Sequence, residues 1–336
     1  MYFIARLEPC YLFTDPPVFS ILGSNSQKSG YPTWPTTNRV QMFCGIKDGV
    51  GCRYMNGTQP AAPGLQYTFA PARVPLWGET NVGFSQTFAH LLLGTLPADH
   101  GVIILNNGVG GTGFFDHKWS VNASLPMGGN LVENSMYSMK ALAAAQPKGL
   151  PGKYIFHAML WHQGEDDAGD NCFPYQFYNC KNQSINHFKS SYCNYLQNDM
   201  GTLIDYFRAN FPGASAGTPF IDGGLLPYWM DTTNGTEPVV DAIYALNTSR
   251  PCTGTADSRI FSDFKADGTT PNGEPGARSG YSGKVIHFNA TQATLMGHQY
   301  FAAYQRAVRV TTVVPSAKTQ ACGGPASSGT ATQCTQ

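Results

Sequence analysis

Short apolar runs alternate with amphipathic helical patterns along most of this chain. The apolar runs cover residues 18–22, 102–105, 154–160, 219–221 and 239–246. The helical patterns cover residues 131–145, 195–211 and 291–308. Strand-sized apolar runs that alternate with helices indicate a mainly parallel sheet with helices on both of its faces. The sequence therefore predicts an α/β fold, a three-layer α/β/α sandwich whose functional site lies at the carboxyl ends of the strands.

The periodic segments all fall within residues 16–310, which we predict to form one domain. Residues 1–15 are predicted to be an N-terminal extension, because the apolar start is interrupted by Arg6 and Glu8 and is too short for a signal-peptide core. Residues 311–336 are rich in Ser, Thr, Ala and Gly and are predicted to be a low-complexity tail. Residues 31–76 lack a sustained period and are predicted to form a long ordered loop.

Charge and cysteine usage limit the classes of function. Lys and Arg total 21, as do Asp and Glu, which argues against a surface for nucleic acid or anionic membranes. No stretch approaches the roughly 18 apolar residues of a membrane span. The 9 cysteines lack zinc-ligand spacing and are predicted to form disulfides. Sequons for N-glycosylation occur at Asn56, Asn122, Asn182, Asn234, Asn247 and Asn289. Together these features predict a secreted, extracellular glycoprotein.

Polar blocks follow three of the apolar runs. Residues 23–26 read Gly-Ser-Asn-Ser, residues 106–112 read Asn-Asn-Gly-Val-Gly-Gly-Thr, and residues 161–167 read Trp-His-Gln-Gly-Glu-Asp-Asp. His287 precedes the last helical pattern. Because the carboxyl ends of parallel strands meet at one edge of a sheet, we expect these blocks to lie close together. Polar groups at such an edge are costly unless they bond to one another or to a ligand.

These residue types are the parts of an acyl-transfer site. A serine hydroxyl becomes an effective nucleophile when a histidine takes its proton, and His287 is the candidate base. The tetrahedral intermediate then needs hydrogen-bond donors for its oxyanion. We predict that the backbone N–H groups of Gly110 or Gly111 and the side-chain amide of Gln163 supply them.

The order of the blocks resembles the sialate O-acetylesterase-like branch, carbohydrate esterase family 6, of the SGNH hydrolases. Members carry a GQSN block, a Gly-Gly block, a W-H/Y-Q-G-E block and a D-x-x-H block. Here WHQGE is intact at residues 161–165, and the GET of residues 78–80 and the GVGGTG of residues 108–113 also look like the family. The resemblance covers residues 16–308 and implies a flavodoxin-like SGNH fold. It further implies a serine acetylesterase that acts on acetylated carbohydrate without a metal or cofactor.

The first block departs from the family pattern because it reads GSNS rather than GQSN. With a gap before it, Ser24 matches the nucleophile of the family, and Asn25 then matches as well. An ungapped alignment puts Asn25 at that position, and Ser26 is the alternative nucleophile. We predict Ser24.

The last block also departs, because Lys284 stands where the family has the Asp that supports the histidine. Glu165 is the candidate replacement for that Asp. Otherwise the enzyme works with Ser24 and His287 alone, or the site is inactive. An inactive site would leave a non-catalytic carbohydrate-binding protein, which is the alternative function.

Other patterns compete with this interpretation. Residues 213–217 match a nucleophile elbow but follow a helix. Residues 108–113 match a dinucleotide fingerprint, but no helical period follows them. The acidic residues Asp166, Asp167 and Asp170 lack EF-hand spacing and are predicted to lie in a solvated loop. His162 is predicted to orient its neighbours rather than to act as a base. Sugar-stacking or core roles are both open for Tyr31, Trp34, Tyr67 and Trp77.

Overall fold

The computed structural model describes the chain in segments, to which all structural statements here refer. They are residues 2–8, 39–44, 68–71, 84–98, 100–108, 112–114, 117–121, 130–145, 153–168, 194–226, 237–261, 277–278, 285–288 and 290–309. The strands are β1 (Tyr2–Glu8), β2 (Val40–Cys44), β3 (Thr68–Pro71), β4 (Gly101–Asn106), β5 (Lys153–Trp161), β6 (Phe220–Gly223), β7 (Thr253–Ala256), β8 (Ala277–Arg278) and β9 (Val285–His287).

Helices occupy much of the rest of the described chain. They are α1 (Phe84–Leu93), α2 (Leu131–Ala145), α3 (Glu165–Ala168), α4 (Thr202–Asn210), α5 (Glu237–Ser249) and α6 (Ala290–Ala307). A π-helix, Asn194–Gly201, runs directly into α4, and a 3₁₀ turn spans Arg259–Phe261. None of the helices in the described segments is long and apolar enough to cross a membrane.

The main sheet has the strand order β3-β2-β4-β1-β5-β6-β7. Strands β2, β4, β5, β6 and β7 run in one direction, as their pairings require. The β1 strand lies between β4 and β5 and is antiparallel to both, whereas β3 is antiparallel to β2 at the edge. Strands β8 and β9 form a separate antiparallel pair. The predicted mainly parallel sheet is therefore confirmed.

Side chains of the sheet alternate between two hydrophobic cores. From β4, Ile103 and Leu105 join the core that contains residues of α2, α4 and α5. Val102 and Ile104 point to the other face and join the core formed with α1 and α6. This period of two is what a strand buried on both faces requires. The fold is thus the predicted three-layer α/β/α sandwich.

A buried arginine fixes the amino ends of β6 and β7. The Arg208 guanidinium, on α4, donates to the carbonyl oxygens of Thr218 at 2.9 Å, Pro251 at 3.2 Å and Cys252 at 2.9 Å. Burial and, less strongly, the charge of Arg250 lower the pKa of Arg208 to about 10. These bonds satisfy carbonyls that precede both strands, so they hold α4 in register with the sheet.

The structure corrects two predictions of secondary structure. Residues 239–246 were expected to form a strand but lie in α5. Val239, Ile243 and Leu246 are buried at a helical spacing, and periodicity cannot distinguish a buried helix from a strand in so short an apolar run. Residues 31–76, expected to be a loop, contain β2 and β3. The predicted strand at residues 18–22 lies outside the described segments.

The three predicted helices are confirmed, with one difference in type. α2 spans residues 131–145 as predicted, and α6 begins and ends one residue before the predicted 291–308. Residues 195–211 were expected to be one helix, but the first two turns are a π-helix. The strand β1 was not predicted, because its pairing with β4 and β5 joins segments about a hundred residues and more apart.

Candidate functional site

The carboxyl ends of β4, β5, β6 and β7 lie along one edge of the sheet, where the predicted site was expected. Asn107 follows β4, His162 and Gln163 follow β5, and Asp222 lies near the end of β6. The predicted Ser24, Gly110, Gly111 and Lys284 lie outside the described segments, as do the aromatic residues Tyr31, Trp34, Tyr67 and Trp77. Their roles stay predictions.

His162 is held in a chain of polar contacts at the end of β5. Its Nδ1 lies 3.0 Å from the hydroxyl of Tyr300 on α6, and that hydroxyl donates to the Trp161 carbonyl oxygen at 2.5 Å. The hydroxyl has only one hydrogen, so His162 Nδ1 must carry the proton that it shares with Tyr300. On the other side of the ring, Nε2 lies 3.3 Å from Glu165 Oε1 without hydrogen-bond geometry, a contact that is an ion pair when the ring is protonated. These contacts hold the His162 ring between α6 and Glu165, and its expected role of orienting its neighbours stays a prediction.

Gly223 makes this contact possible. A Cβ atom at this position would overlap the Tyr300 hydroxyl and His162 Nδ1. The absence of a side chain lets α6 approach the end of β6 closely enough for the hydrogen bond. The Tyr300 ring is further fixed by stacking on Phe84, with ring centroids 4.4 Å apart and planes inclined by 8°.

Gln163 and Asp167 connect the end of β5 to the segment that follows the glycine block. Asp167 accepts hydrogen bonds from the Phe114 N–H, with Oδ1 at 3.0 Å and Oδ2 at 3.2 Å from the nitrogen. Gln163 Nε2 donates to Asp167 Oδ2 at 2.6 Å and to the Thr112 carbonyl oxygen at 3.4 Å. Tyr195 donates towards Gln163 Oε1 at 3.3 Å. Both side chains are thus fixed on several sides.

The segment after the glycine block also packs on aromatic residues. Trp119 Nε1 donates to Thr112 Oγ1 at 3.0 Å. The Trp119 ring meets the Trp161 ring edge-on with centroids 4.9 Å apart, and Phe114 stacks on Trp161 at 5.8 Å. Residues 112–114 are therefore tied to the end of β5 by both polar and apolar contacts.

The segment that carries His287 reaches the same edge. His287 is the last residue of β9, and the next residue, Phe288, packs against the His162 ring with centroids 5.2 Å apart. Consecutive Cα atoms are about 3.8 Å apart, so the backbone of His287 lies beside the WHQGE motif. The structure thus brings the predicted base segment and the predicted motif together.

Among the described residues at this edge, three buried side chains have polar groups without a hydrogen-bond partner of normal geometry. They are the amide of Asn107, 1% exposed, the indole N–H of Trp161, and the carboxyl of Asp222, 0% exposed. Burial raises the pKa of Asp222 well above its usual range. The nearby Gly223 N–H lowers this pKa and the charge of Glu165 raises it, both less strongly than burial. Asp222 is therefore a neutral acid over a wider pH range than an exposed aspartate.

The end of β7 is fixed by a smaller network. Ser258 Oγ donates to the Leu225 carbonyl oxygen at 2.5 Å and lies 3.1 Å from the hydroxyl of Tyr244 on α5. Burial raises the pKa of Tyr244 to about 12. Hydrogen bonds from Arg259 lower the pKa of Asp257, whose carboxylate also accepts from Tyr244. These contacts join the segment after β7 to the segment after β6 and to α5.

Asp167 corrects the prediction of a solvated acidic loop. Its side chain is 3% exposed and belongs to the hydrogen-bonded site. Its place in the sequence offers one local signal, since it lies four residues after Gln163, but a partner at Phe114 is not visible from local sequence. Asn107, Asp222 and Tyr300 were also missed, because their burial follows from tertiary packing.

The competing patterns receive no support from the described segments. Ser215 lies in an exposed turn after α4, where its Oγ accepts a hydrogen bond from the Gly217 N–H at 3.2 Å. Residues 117–121 form turns rather than the helix that a dinucleotide site needs. Within the described part of the chain, no group of three His, Cys, Asp or Glu residues is arranged to hold a metal ion.

Comparison with solved structures shows a likeness in fold, whereas comparison of sequences finds no match. No protein-family model matches the chain, and no curated protein matches it significantly. Among solved structures, the crystal structure of NanS matches with 14% sequence identity and a TM-score of 0.48. The match covers 82% of this chain and 89% of the NanS chain.

Proposed function

We propose that this chain is a carbohydrate O-acetylesterase, a serine esterase that removes acetyl groups from sugars through an acyl-enzyme intermediate. The observation that carries the proposal is the meeting of separate sequence blocks at one sheet edge. Asp167, two residues after the WHQGE motif, accepts a hydrogen bond from the N–H of Phe114, just after the glycine block. His162, within the WHQGE motif, packs against Phe288, just after His287. The resemblance of the blocks to the SGNH esterases supplies the chemistry.

In the proposed first half-reaction, Ser24 Oγ attacks the acetyl carbonyl carbon while His287 takes the hydroxyl proton. The carbonyl oxygen becomes an oxyanion, which backbone N–H groups of Ser24 and of Gly110 or Gly111 stabilise, together with the amide of Gln163. The tetrahedral intermediate collapses when the C–O bond to the sugar breaks. His287 then protonates the departing sugar oxygen, which leaves an acetyl group on Ser24.

In the proposed second half-reaction, water attacks the acetyl-serine ester while His287 takes a proton from the water. Collapse of the second intermediate breaks the ester bond, and His287 returns its proton to Ser24 Oγ. Acetate leaves, and the enzyme regains its starting state. The whole cycle needs no redox partner.

Glu165 is proposed to stabilise the protonated form of His287, in place of the family Asp where this chain has Lys284. Its carboxylate is near the correct segment, because it pairs with His162, whose ring packs on Phe288. A carboxylate in this neighbourhood favours the charged form of any nearby imidazole. A variant with Glu165→Gln is expected to lower kcat on the pH plateau, because the imidazolium formed in the transition state loses a stabilising charge. The acidic limb of its pH–kcat profile is expected to move to lower pH, because loss of the carboxylate lowers the pKa of a nearby imidazole.

The proposal is tested by acetate release from p-nitrophenyl acetate, acetylated xylan and O-acetylated sialate. The purified wild-type protein is expected to release acetate from at least one of them. Ser24→Ala and His287→Asn are each expected to lower kcat by about 10³-fold or more, because loss of either residue disables the unit. Acetate release that persists in Ser24→Ala but disappears in Ser26→Ala would move the nucleophile by two positions.

Matched controls use residues of the same type away from the site. Ser215→Ala removes an exposed serine after α4, and His298→Asn removes an exposed histidine on α6. Both variants are expected to retain wild-type kcat. If the wild-type protein releases no acetate but binds acetylated sugar, the chain is the non-catalytic carbohydrate-binding protein of the alternative function.

We also propose that the protein is secreted and glycosylated. The sequons and the cysteine count support this, and Cys252 is disulfide-bonded. Expression in a eukaryotic secretory host is expected to give protein that loses mass on treatment with an N-glycosidase. Protein of unglycosylated mass in the medium would contradict the glycan part of the proposal.

A further inference from the structure

Asp167 is a buried acceptor that joins two parts of the candidate site. Its carboxylate is 3% exposed and receives the Phe114 N–H on both oxygens and the Gln163 amide on one. Charged acceptors make stronger hydrogen bonds than neutral ones, and a buried site strengthens them further. Asp167 is therefore a strong constraint on the position of residue 114.

The amide of Gln163 faces the same segment. One hydrogen bond from Nε2 goes to Asp167 at 2.6 Å, and a longer one goes to the Thr112 carbonyl at 3.4 Å. A carboxamide has two N–H donors, and both of these contacts are made by the Gln163 nitrogen. In this conformation the Gln163 amide supports the segment after the glycine block, and donation to an oxyanion would replace the longer bond to Thr112.

We propose that Asp167 is a positioning residue, which acts with Gln163 to hold residues 112–114 and thereby the glycine block Gly110–Gly111. The inference rests on the proposed function, in which N–H groups of that block stabilise the oxyanion. It adds support of the loop to the proposed role of Gln163 as an oxyanion donor. Residue 112 directly follows the block, so a shift of Thr112 is transmitted to Gly111 through one peptide bond.

The effect on rate follows from the geometric demands of the transition state. Loss of one oxyanion donor costs about 10²–10³-fold in kcat. A displacement of about 1 Å at a reacting centre costs about 10²-fold. Asp167→Asn is expected to lower kcat between about 10-fold and 100-fold, because the loop is loosened rather than removed. KM is expected to change by less than about threefold, because the loosened loop acts on the oxyanion of the transition state rather than on the bound substrate.

Asp167→Asn is the most specific substitution at this position, because it changes the hydrogen bonding and keeps the size of the side chain. Its carboxamide has the shape of the carboxylate, but its NH₂ group faces either the Phe114 N–H or the Gln163 amide, so a donor meets a donor. The matched control is Asp205→Asn, because Asp205 is 63% exposed and paired with Arg250 on the surface. The control is expected to keep both kcat and KM.

The direct readout is amide hydrogen exchange. In the wild-type protein the Phe114 amide is expected to exchange slowly, and Asp167→Asn is expected to accelerate exchange in residues 112–114 while β5 and β6 remain protected. A double-mutant cycle gives a second readout. If the two residues act through one loop, Asp167→Asn combined with Gln163→Ala lowers kcat no further than the more damaging single variant.

Several results would overturn the proposal. The first is a kcat for Asp167→Asn equal to that of Asp205→Asn. The second is a double variant in which the reductions of kcat by Asp167→Asn and Gln163→Ala multiply. The third is a wild-type Phe114 amide that exchanges its hydrogen as fast as an amide in an open loop. Should Asp167→Asn fail to fold, the wild-type exchange rate and the Gln163→Ala variant decide the question. Absence of esterase activity in the wild type would refute the proposed function, and exchange at Phe114 would still test the loop constraint.

Discussion

Tyr300 offers a clean perturbation of the site, because one hydroxyl group bridges two elements. It accepts from His162 Nδ1 at 3.0 Å and donates to the Trp161 carbonyl at 2.5 Å. Tyr300→Phe removes only this hydroxyl and keeps the ring, which stacks on Phe84 and is 0% exposed. The substitution therefore isolates the hydrogen bonds from the packing.

The expected loss of stability follows from the two hydrogen bonds. Each is worth about 0.5–1.5 kcal/mol net, and a buried group left without its partner costs about 1–3 kcal/mol. His162 Nδ1 and the Trp161 carbonyl both lose a partner in Tyr300→Phe. We expect the free energy of unfolding to fall by about 2 kcal/mol.

Urea denaturation of the wild type and of Tyr300→Phe measures this loss, and Tyr137→Phe is the matched control. Tyr137 is 55% exposed on α2, so its substitution is expected to change stability by less than about 0.5 kcal/mol. Nitrogen-15 NMR of the His162 ring gives an independent test, because Nδ1 is expected to carry a proton in the wild type. A Tyr300→Phe protein as stable as Tyr137→Phe, or a wild-type ring with an unprotonated Nδ1, would refute the reasoning.

Two further predictions concern neighbours of this contact. Gly223→Ala places a Cβ against His162, and overpacking with loss of a hydrogen bond is expected to lower the free energy of unfolding by about 2–4 kcal/mol. The control is Gly94→Ala, whose Cβ would have its nearest atom at 3.4 Å, and this variant is expected to be nearly neutral in the same urea titration. Because burial raises the pKa of Asp222 above 3.8, the folded state retains a proton that the unfolded state releases. Wild-type stability is thus expected to fall by up to about 1.4 kcal/mol per pH unit from about pH 4 upward, until the raised pKa is reached. In Asp222→Asn, the free energy of unfolding is expected to lack this dependence on pH. The prediction would be contradicted if the wild type and Asp222→Asn showed the same pH dependence.

Strands and helices could be predicted from the sequence where their buried residues recur with a regular local period. The apolar runs at residues 102–105 and 154–160 are strands because both faces of β4 and β5 are covered. The apolar run at residues 239–246 was predicted to be a strand but is helical. Val239 and Ile243 lie on the buried face of α5, and the other apolar residues of the run hide this helical period. The strand β1 was missed because its place depends on pairing across distant segments.

The candidate site was predictable to a similar extent. The polar block after β5 identified the edge of the sheet and the residues His162 and Gln163. Asp167 was taken for a solvated acid, because its burial depends on the N–H of Phe114, 53 residues away. Asp222 belongs to a strand whose local sequence does not reveal that its carboxyl is fully buried.

The central claim is that an acetyl ester is hydrolysed through a covalent intermediate on Ser24. The most direct measurement is mass spectrometry of protein quenched with acid during turnover of p-nitrophenyl acetate. The account predicts one added acetyl group, located on the peptide that contains Ser24 and absent in Ser24→Ala. Acetate release with no acetylated peptide, or with the acetyl group only on another residue, would contradict it.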